Sequence, residues 1–195
     1  MYSVKCQYSS TLEIKKSTFI SYIIPISSFD IFRTELKELH PKARHIVWAK
    51  RSLNKHNQVV ENCSDDGEPK GTSGPPILNV MRGNELIECA ILVVRYFGGI
   101  KLGTGGLVRA YGRSAKDVIA VADIEEYIKK EQFIFSTAYP LVPRFEHFLD
   151  KQALHVEDRS YEAASIVWKL NLSKQEQDLF LEFARCFERD GFKVL

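Results

Sequence analysis

The run Cys89-Ala90-Ile91-Leu92-Val93-Val94 leads directly into Arg95-Tyr96-Phe97-Gly98-Gly99-Ile100-Lys101-Leu102-Gly103-Thr104-Gly105-Gly106, and this junction constrains the fold more than any other stretch. An uninterrupted apolar hexapeptide rich in β-branched residues reads as a strand buried on both faces, so structure must cover it on each side. Gly98, Gly99, Gly103, Gly105 and Gly106 free the following backbone to take positive φ and to expose successive N–H groups. Leu107, Val108, Tyr111, Ala115, Val118, Ile119 and Ala122 then share one face at helical spacing. Strand, glycine bend and helix start follow one another, and a helix N-terminus beside such a bend favours an anion through its unpaired donors and dipole.

The bend matches no common nucleotide loop. Gly98-x-x-x-x-Gly103 is followed by Thr104 where a P-loop needs Lys, and Gly103-x-Gly105-x-x-Val108 lacks the third glycine of a dinucleotide fingerprint. Cations are the stronger signal. Arg109, Arg113 and Lys116 fall on the helix face opposite the apolar one, and no Asp or Glu occurs between Glu88 and Asp117, which leaves Arg95 and Lys101 without a local partner. A second acid-free window, Leu39 to Val60, holds Lys42, Arg44, Lys50, Arg51 and Lys55 around Trp48. Unpaired cations with an interleaved aromatic suit phosphate contact and base stacking; the plainer alternative is a solvated helix face and a protected strand edge. The candidate anion- or nucleic-acid-binding residues are therefore Arg95, Gly98, Gly99, Lys101, Gly103, Thr104, Gly105, Gly106, Arg109 and Arg113.

Upstream, Asp65-Asp66-Gly67-Glu68 packs three carboxylates into a polar turn that continues to Pro76. Asp65, Asp66 and Glu68 suit metal or acid/base chemistry beside a base such as His45, yet they suit equally a structural pairing with Arg95, Lys101 or Arg109 that would tie two loops together. The structural or binding role is preferred. No serine-hydrolase elbow, zinc-protease motif or Cys–His pair is present, so no catalytic residue, metal site or cofactor is expected. Cys6, Cys63, Cys89 and Cys186 are scattered, as in a reduced cytoplasmic protein, and each reads as a small buried hydrophobe. His40, His56, His147 and His155 read as isolated solvent-facing or capping residues.

The rest of the chain predicts two α+β domains. Thr18 to Ile26 reads as a strand, Phe29 to Leu39 as an amphipathic helix stopped by Pro41, His45 to Lys50 and Gln58 to Cys63 as short strands, and Ile77 to Arg82 as a helix with Pro75 or Pro76 in its first turn. After a charged stretch at Asp123 to Lys130, strand, helix, hairpin, helix and strand follow, the second helix opened by the capping box Ser173-Lys174-Gln175-Glu176, carrying Leu179, Phe180, Phe183 and Phe187 on one face, and stopped at Gly191. That order is a ferredoxin-like split βαβ sandwich, which gives domains at 1–125 and 130–195. Residues 1–125 carry 17 basic and 13 acidic side chains, a balance of +4, while 126–195 carry 10 and 12, a balance of −2. An anionic partner should meet the first domain. No apolar run is long enough to span a bilayer and the N-terminus lacks the apolar core of a secretory signal, so neither membrane nor export is expected.

Asp65-Asp66-Gly67-Glu68-Pro69-x-Gly71-Thr72-x-Gly74 and the whole window Arg95 to Tyr111 resemble the motifs of the IMPACT/YigZ family; Lys16-Ser17-x-Phe19-Ile20 and Ala43-Arg44-His45 match its weaker, earlier ones. The resemblance covers about residues 15–120. Lys70 and Ser73, the latter in place of the common Ala, are small departures. The resemblance implies a first domain like the second domain of a small-subunit ribosomal protein, in a superfamily that includes a domain of elongation factor G and small-molecule kinases. It implies a second domain like the C-terminal domains of elongation factor G. Eukaryotic members regulate translation under amino-acid stress by competing for the activator of an initiation-factor kinase. The expectation is a cytoplasmic, non-enzymatic, translation-associated protein that binds RNA, the ribosome or a translation factor. The alternative is an enzyme or binding protein for a phosphorylated small molecule or nucleotide, with a concave pocket between the glycine bend and the acidic turn.

Overall fold

A computed structural model describes residues 1–195 as an α+β protein with five α-helices and three sheets, all of them antiparallel. The chain divides into two compact units, Met1–Tyr127 and Ile128–Leu195. No helix is long and apolar enough to cross a membrane.

The first unit is built on a five-stranded sheet. In chain order its elements are β1 (Tyr2–Ser3), β2 (Tyr8–Ile14), β3 (Ser17–Pro25), α1 (Phe29–Leu39), β4 (His45–Leu53), β5 (Val59–Ser64), α2 (Gly74–Gly83), β6 (Cys89–Tyr96), α3 (Thr104–Val121) and β7 (Glu125–Glu126). The sheet order is β2-β3-β6-β4-β5, which puts the apolar β6 at the centre. Ile91 and Val93 pack with Ile77, Met81, Ala110 and Tyr111 from α2 and α3 on one face. Ala90, Leu92 and Val94 pack with Phe29 and Leu36 of α1 on the other. A strand covered on both sides has no need of alternating polarity, which is why it reads as one apolar run.

In its strands and its long helix the first unit departs from the sequence reading at three places. β2 was not anticipated: its hairpin to β3 turns at Lys15 and Lys16, both at positive φ, where Asn-Gly is the usual sequence. The charged stretch after Asp123 is not featureless, because Glu125–Glu126 pairs with Tyr2–Ser3. On α3, Val108 is exposed while Ala110 and Ser114 are buried.

The second unit contains β8 (Glu131–Ala138), α4 (Val142–Lys151), β9 (Val156–Tyr161), β10 (Ser165–Leu172), α5 (Lys174–Ala184) and β11 (Lys193–Val194), with sheet order β11-β8-β10-β9. Its core is aromatic. Phe135 lies opposite Trp168 in the ladder, their rings nearly parallel at 5.7 Å, and Phe145, Phe180 and Phe192 close around them. Trp168 is fully buried, and its indole N–H donates to Thr137 at 2.9 Å, so no donor is left stranded.

The predicted capping box forms: Ser173 Oγ accepts from the Glu176 N–H and the Glu176 carboxylate accepts from the Ser173 N–H. Leu179 is exposed, and α5 stops at Ala184 in a 3-10 turn before Gly191 at φ +107. Cys89 is buried, which pushes its thiol up to about 12, but Cys6 and Cys186 are exposed, against expectation. His40 is not isolated: its Nδ1 lies 2.8 Å from the Tyr96 hydroxyl and its Nε2 3.3 Å from that of Tyr22. Replacing Ser173 by Ala removes the cap of α5 and should lower stability by about 1 kcal/mol in urea denaturation, with the m-value unchanged.

Candidate anion-binding site

Arg95, at the end of β6, points into the protein and not to solvent. It is only 6% exposed, and Nη1 donates to Glu68 Oε1 at 2.5 Å. The Tyr111 hydroxyl, from the second turn of α3, donates to the same oxygen at 2.8 Å. Burial and then the neighbouring carboxylate push the Tyr111 phenol well above its usual range, so it stays protonated and able to donate. The expectation that Arg95 lacks a partner is thereby corrected. The structural pairing preferred for the acidic turn, a carboxylate that ties two loops together, is what Glu68 makes with Arg95.

The two aspartates are also engaged by the protein, although Asp66 is exposed. Asp65 Oδ1 accepts from the N–H groups of Ser73 and Gly74 and from the Ser73 hydroxyl, and Oδ2 accepts from the Gly71 N–H at 2.7 Å. Burial alone would raise its pKa, but these donors, Ser73 first, hold it below the ordinary aspartate range. Asp66 Oδ2 accepts from the Ile46 N–H at 2.7 Å and its carbonyl lies 2.6 Å from His45 Nδ1. The turn is thus a knot that caps α2 and fixes the start of β4. No group of three or more His, Cys, Asp or Glu is placed to hold a metal ion.

The glycine bend is open. Phe97, Gly99, Ile100, Lys101, Gly103, Thr104 and Gly105 are exposed. Gly98 is the exception that anchors it: a Cβ there would stand 1.9 Å from the backbone carbon of Lys16, and the Gly98 N–H donates to Ser17 Oγ at 3.1 Å. Only glycine permits that approach. It brings the Lys15–Lys16 turn beside the bend.

α3 starts without a side-chain cap, after Gly103 at φ +72. Leu107 is the first residue whose N–H reaches back, to Gly103, so the N–H groups of Thr104, Gly105 and Gly106 have no acceptor in the chain. Lys15, Arg44, Lys101 and Arg109 have no ion-pair or hydrogen-bond partner, whereas Arg113 is paired with Asp117 at 2.7 Å.

Two concavities flank this helix start. The first, about 440 Å³, opens between the acidic turn and the bend; its lining includes Arg44, His45, Glu68, Phe97, Lys101 and Thr104. The second, about 330 Å³, includes Lys15, Gly106, Arg109 and Arg113, and shares Leu102 with the first. Of the predicted residues, Arg95, Lys101, Gly103 and Thr104 meet at the first and Gly106, Arg109 and Arg113 at the second, while Gly98 and Gly99 shape the bend.

Lys15 and Phe97 join the site without a signal in the sequence, whereas Arg44 belongs to the acid-free window and His45 is the base considered beside the acidic turn. Trp48 does not join them. It packs edge-on against Phe29 at 5.1 Å, under α1, with Arg33 and Lys50 over its ring.

Known proteins carry the same first unit. Residues 15–119 match the Impact N-terminal domain. An IMPACT family member of Haemophilus influenzae is 35% identical over 77% of this chain and 75% of its own. The IMPACT family member YvyE of Bacillus subtilis is 29% identical over 93% of this chain and 84% of its own. A crystal structure described as that of an hypothetical protein matches with a TM-score of 0.74 and 27% identity, covering 100% of this chain and 95% of that one. The chain belongs to the IMPACT family.

The knot makes two predictions. Glu68→Ala strands a buried guanidinium and should cost about 3–5 kcal/mol in urea denaturation, against about 1 kcal/mol for Tyr111→Phe. Asp65, whose folded pKa is depressed, stabilises the fold fully above its unfolded value of about 3.9 and loses that contribution as pH falls through the folded value. The thermal midpoint should therefore fall on acidification below about pH 4, and Asp65→Asn should be less stable at neutral pH but flatter across that window.

Proposed function

We propose that this protein is a cytoplasmic, non-enzymatic, translation-associated factor whose first unit binds RNA, on the ribosome or free, through the basic surface around the start of α3. The observation that carries the reading is the set of unpaired cations Lys15, Lys101 and Arg109 around a helix N-terminus whose first N–H groups have no acceptor. Such a surface collects phosphates without reading sequence. Family membership agrees with a link to translation. We read the first unit as like the second domain of a small-subunit ribosomal protein. We read the second as the ferredoxin-like split βαβ sandwich, on its β-α-β-β-α-β order and its β11-β8-β10-β9 sheet. These are likenesses of fold, and the function rests on the site.

A second reading, a binding protein or enzyme for a phosphorylated small molecule, is favoured by the cavity between the bend and the acidic turn. Asp65 and Asp66 do not serve it as ligands for a metal, since both are held by backbone donors. In fluorescence anisotropy with a short single-stranded RNA, affinity should fall steeply between about 50 and 200 mM salt. Lys101→Ala and Arg109→Ala should each weaken binding uniformly across sequences and reduce the salt slope by about one. RNA binding that is unchanged in both variants would overturn the assignment of this surface.

A further inference from the structure

Glu68 and Arg95 neutralise each other through one oxygen and one nitrogen, and each keeps a polar atom to spare. Glu68 is 8% exposed, and Oε1 takes both the Arg95 and the Tyr111 bonds, which leaves Oε2 with none. Arg95 Nε is buried and has no hydrogen-bond partner. Both residues line the 440 Å³ cavity. A buried donor left unmet, beside a carboxylate oxygen that no protein group engages, at the wall of a cavity of this size marks a place where a ligand makes up the difference.

The rest of the wall indicates which ligand. At one side stand Lys101 and the uncapped start of α3 at Gly103 and Thr104, a seat for one phosphate. Phe97, 46% exposed on the bend, offers a ring for stacking, backed by the Arg95 guanidinium at 5.7 Å. Glu68 Oε2 can accept from a sugar hydroxyl or an exocyclic amine. His45, whose Nδ1–H is given to the Asp66 carbonyl, keeps Nε2 as a further acceptor in its neutral form. Anion seat, aromatic ring and unengaged carboxylate oxygen stand in one concavity.

We propose that this cavity is a binding site for a nucleoside monophosphate, with phosphate at Lys101 and the first turn of α3, base on Phe97, and a ligand N–H or O–H donated to Glu68. The inference rests on the anion-binding reading of that helix start. It adds a pocket that takes a single nucleotide, which a phosphate-tracking surface alone does not need. The nucleotide comes either from the free pool or from the 5′ end of an RNA strand.

The test is calorimetric titration of the full chain with AMP, GMP, CMP and UMP, with the matching nucleosides and inorganic phosphate as controls. At least one monophosphate should bind saturably and more tightly than both its nucleoside and phosphate. Phe97→Ala and Lys101→Ala, both at exposed positions, should each weaken it about tenfold without shifting the thermal midpoint. The proposal is overturned if no monophosphate binds more tightly than inorganic phosphate, or if Phe97→Ala leaves the affinity unchanged. Competition by a 5′-phosphorylated oligoribonucleotide, but not by its 5′-hydroxyl twin, assigns the site to strand ends; competition by neither assigns it to free nucleotide. A Lys15→Ala/Arg109→Ala variant separates the two readings. If it loses RNA and keeps the monophosphate, both stand; if RNA binding is untouched while the monophosphate binds, the outer surface alone fails.

Discussion

The buried pair of Glu68 and Arg95, completed by the Tyr111 hydroxyl, joins three segments that are far apart in sequence: the acidic turn, the end of the central strand and the long helix after the bend. Taking both charges out of water is costly, and the Coulombic return alone rarely exceeds that cost. What the pair does is fix position. With its guanidinium held from below, the β6 strand delivers the glycine bend at one height above the sheet. With its hydroxyl held, α3 presents its first turn at one angle. The walls of the larger cavity follow from these two constraints.

Most of the architecture is written in local patterns. The apolar hexapeptide of β6, the spacing of Phe29, Leu36 and their neighbours, the prolines of α2 and the capping box of α5 each report a short-range preference that the tertiary structure keeps. The missed strand β2 is instructive. Its residues Tyr8 to Ile14 alternate except at Ser10, but its turn places two lysines where the backbone prefers Asn-Gly, so no punctuation separates it from the strand that follows. Pairing along β3 and the packing of Tyr8, Leu12 and Ile14 against the core stabilise the choice.

The candidate site is legible in sequence as neighbouring motifs and not as a distribution of charge. An acid-free window in sequence does not mean an acid-free neighbourhood, and Glu68 reaches Arg95 across 27 positions. Each carboxylate of the turn is engaged within the protein, Asp65 and Asp66 on backbone donors and Glu68 on Arg95. The bend keeps a cationic border because none of these carboxylates reaches Lys15, Lys101 or Arg109. Trp48, the aromatic that sequence places among cations, is taken by the α1 face of the sheet, and Phe97 is the exposed aromatic that lines the cavity beside Arg44 and Lys101.

Gly98 closes against the Lys16 backbone with no room for a single methyl group. Two loops that belong to different strands therefore behave mechanically as one part, and the lysines of the hairpin cannot drift away from the donors of the bend. Side chains around this weld are free to vary in charge, size and reach, because they stand on a chassis whose shape they do not set. Changes of specificity in such a protein are expected to be written at the rim, while the weld stays invariant in geometry.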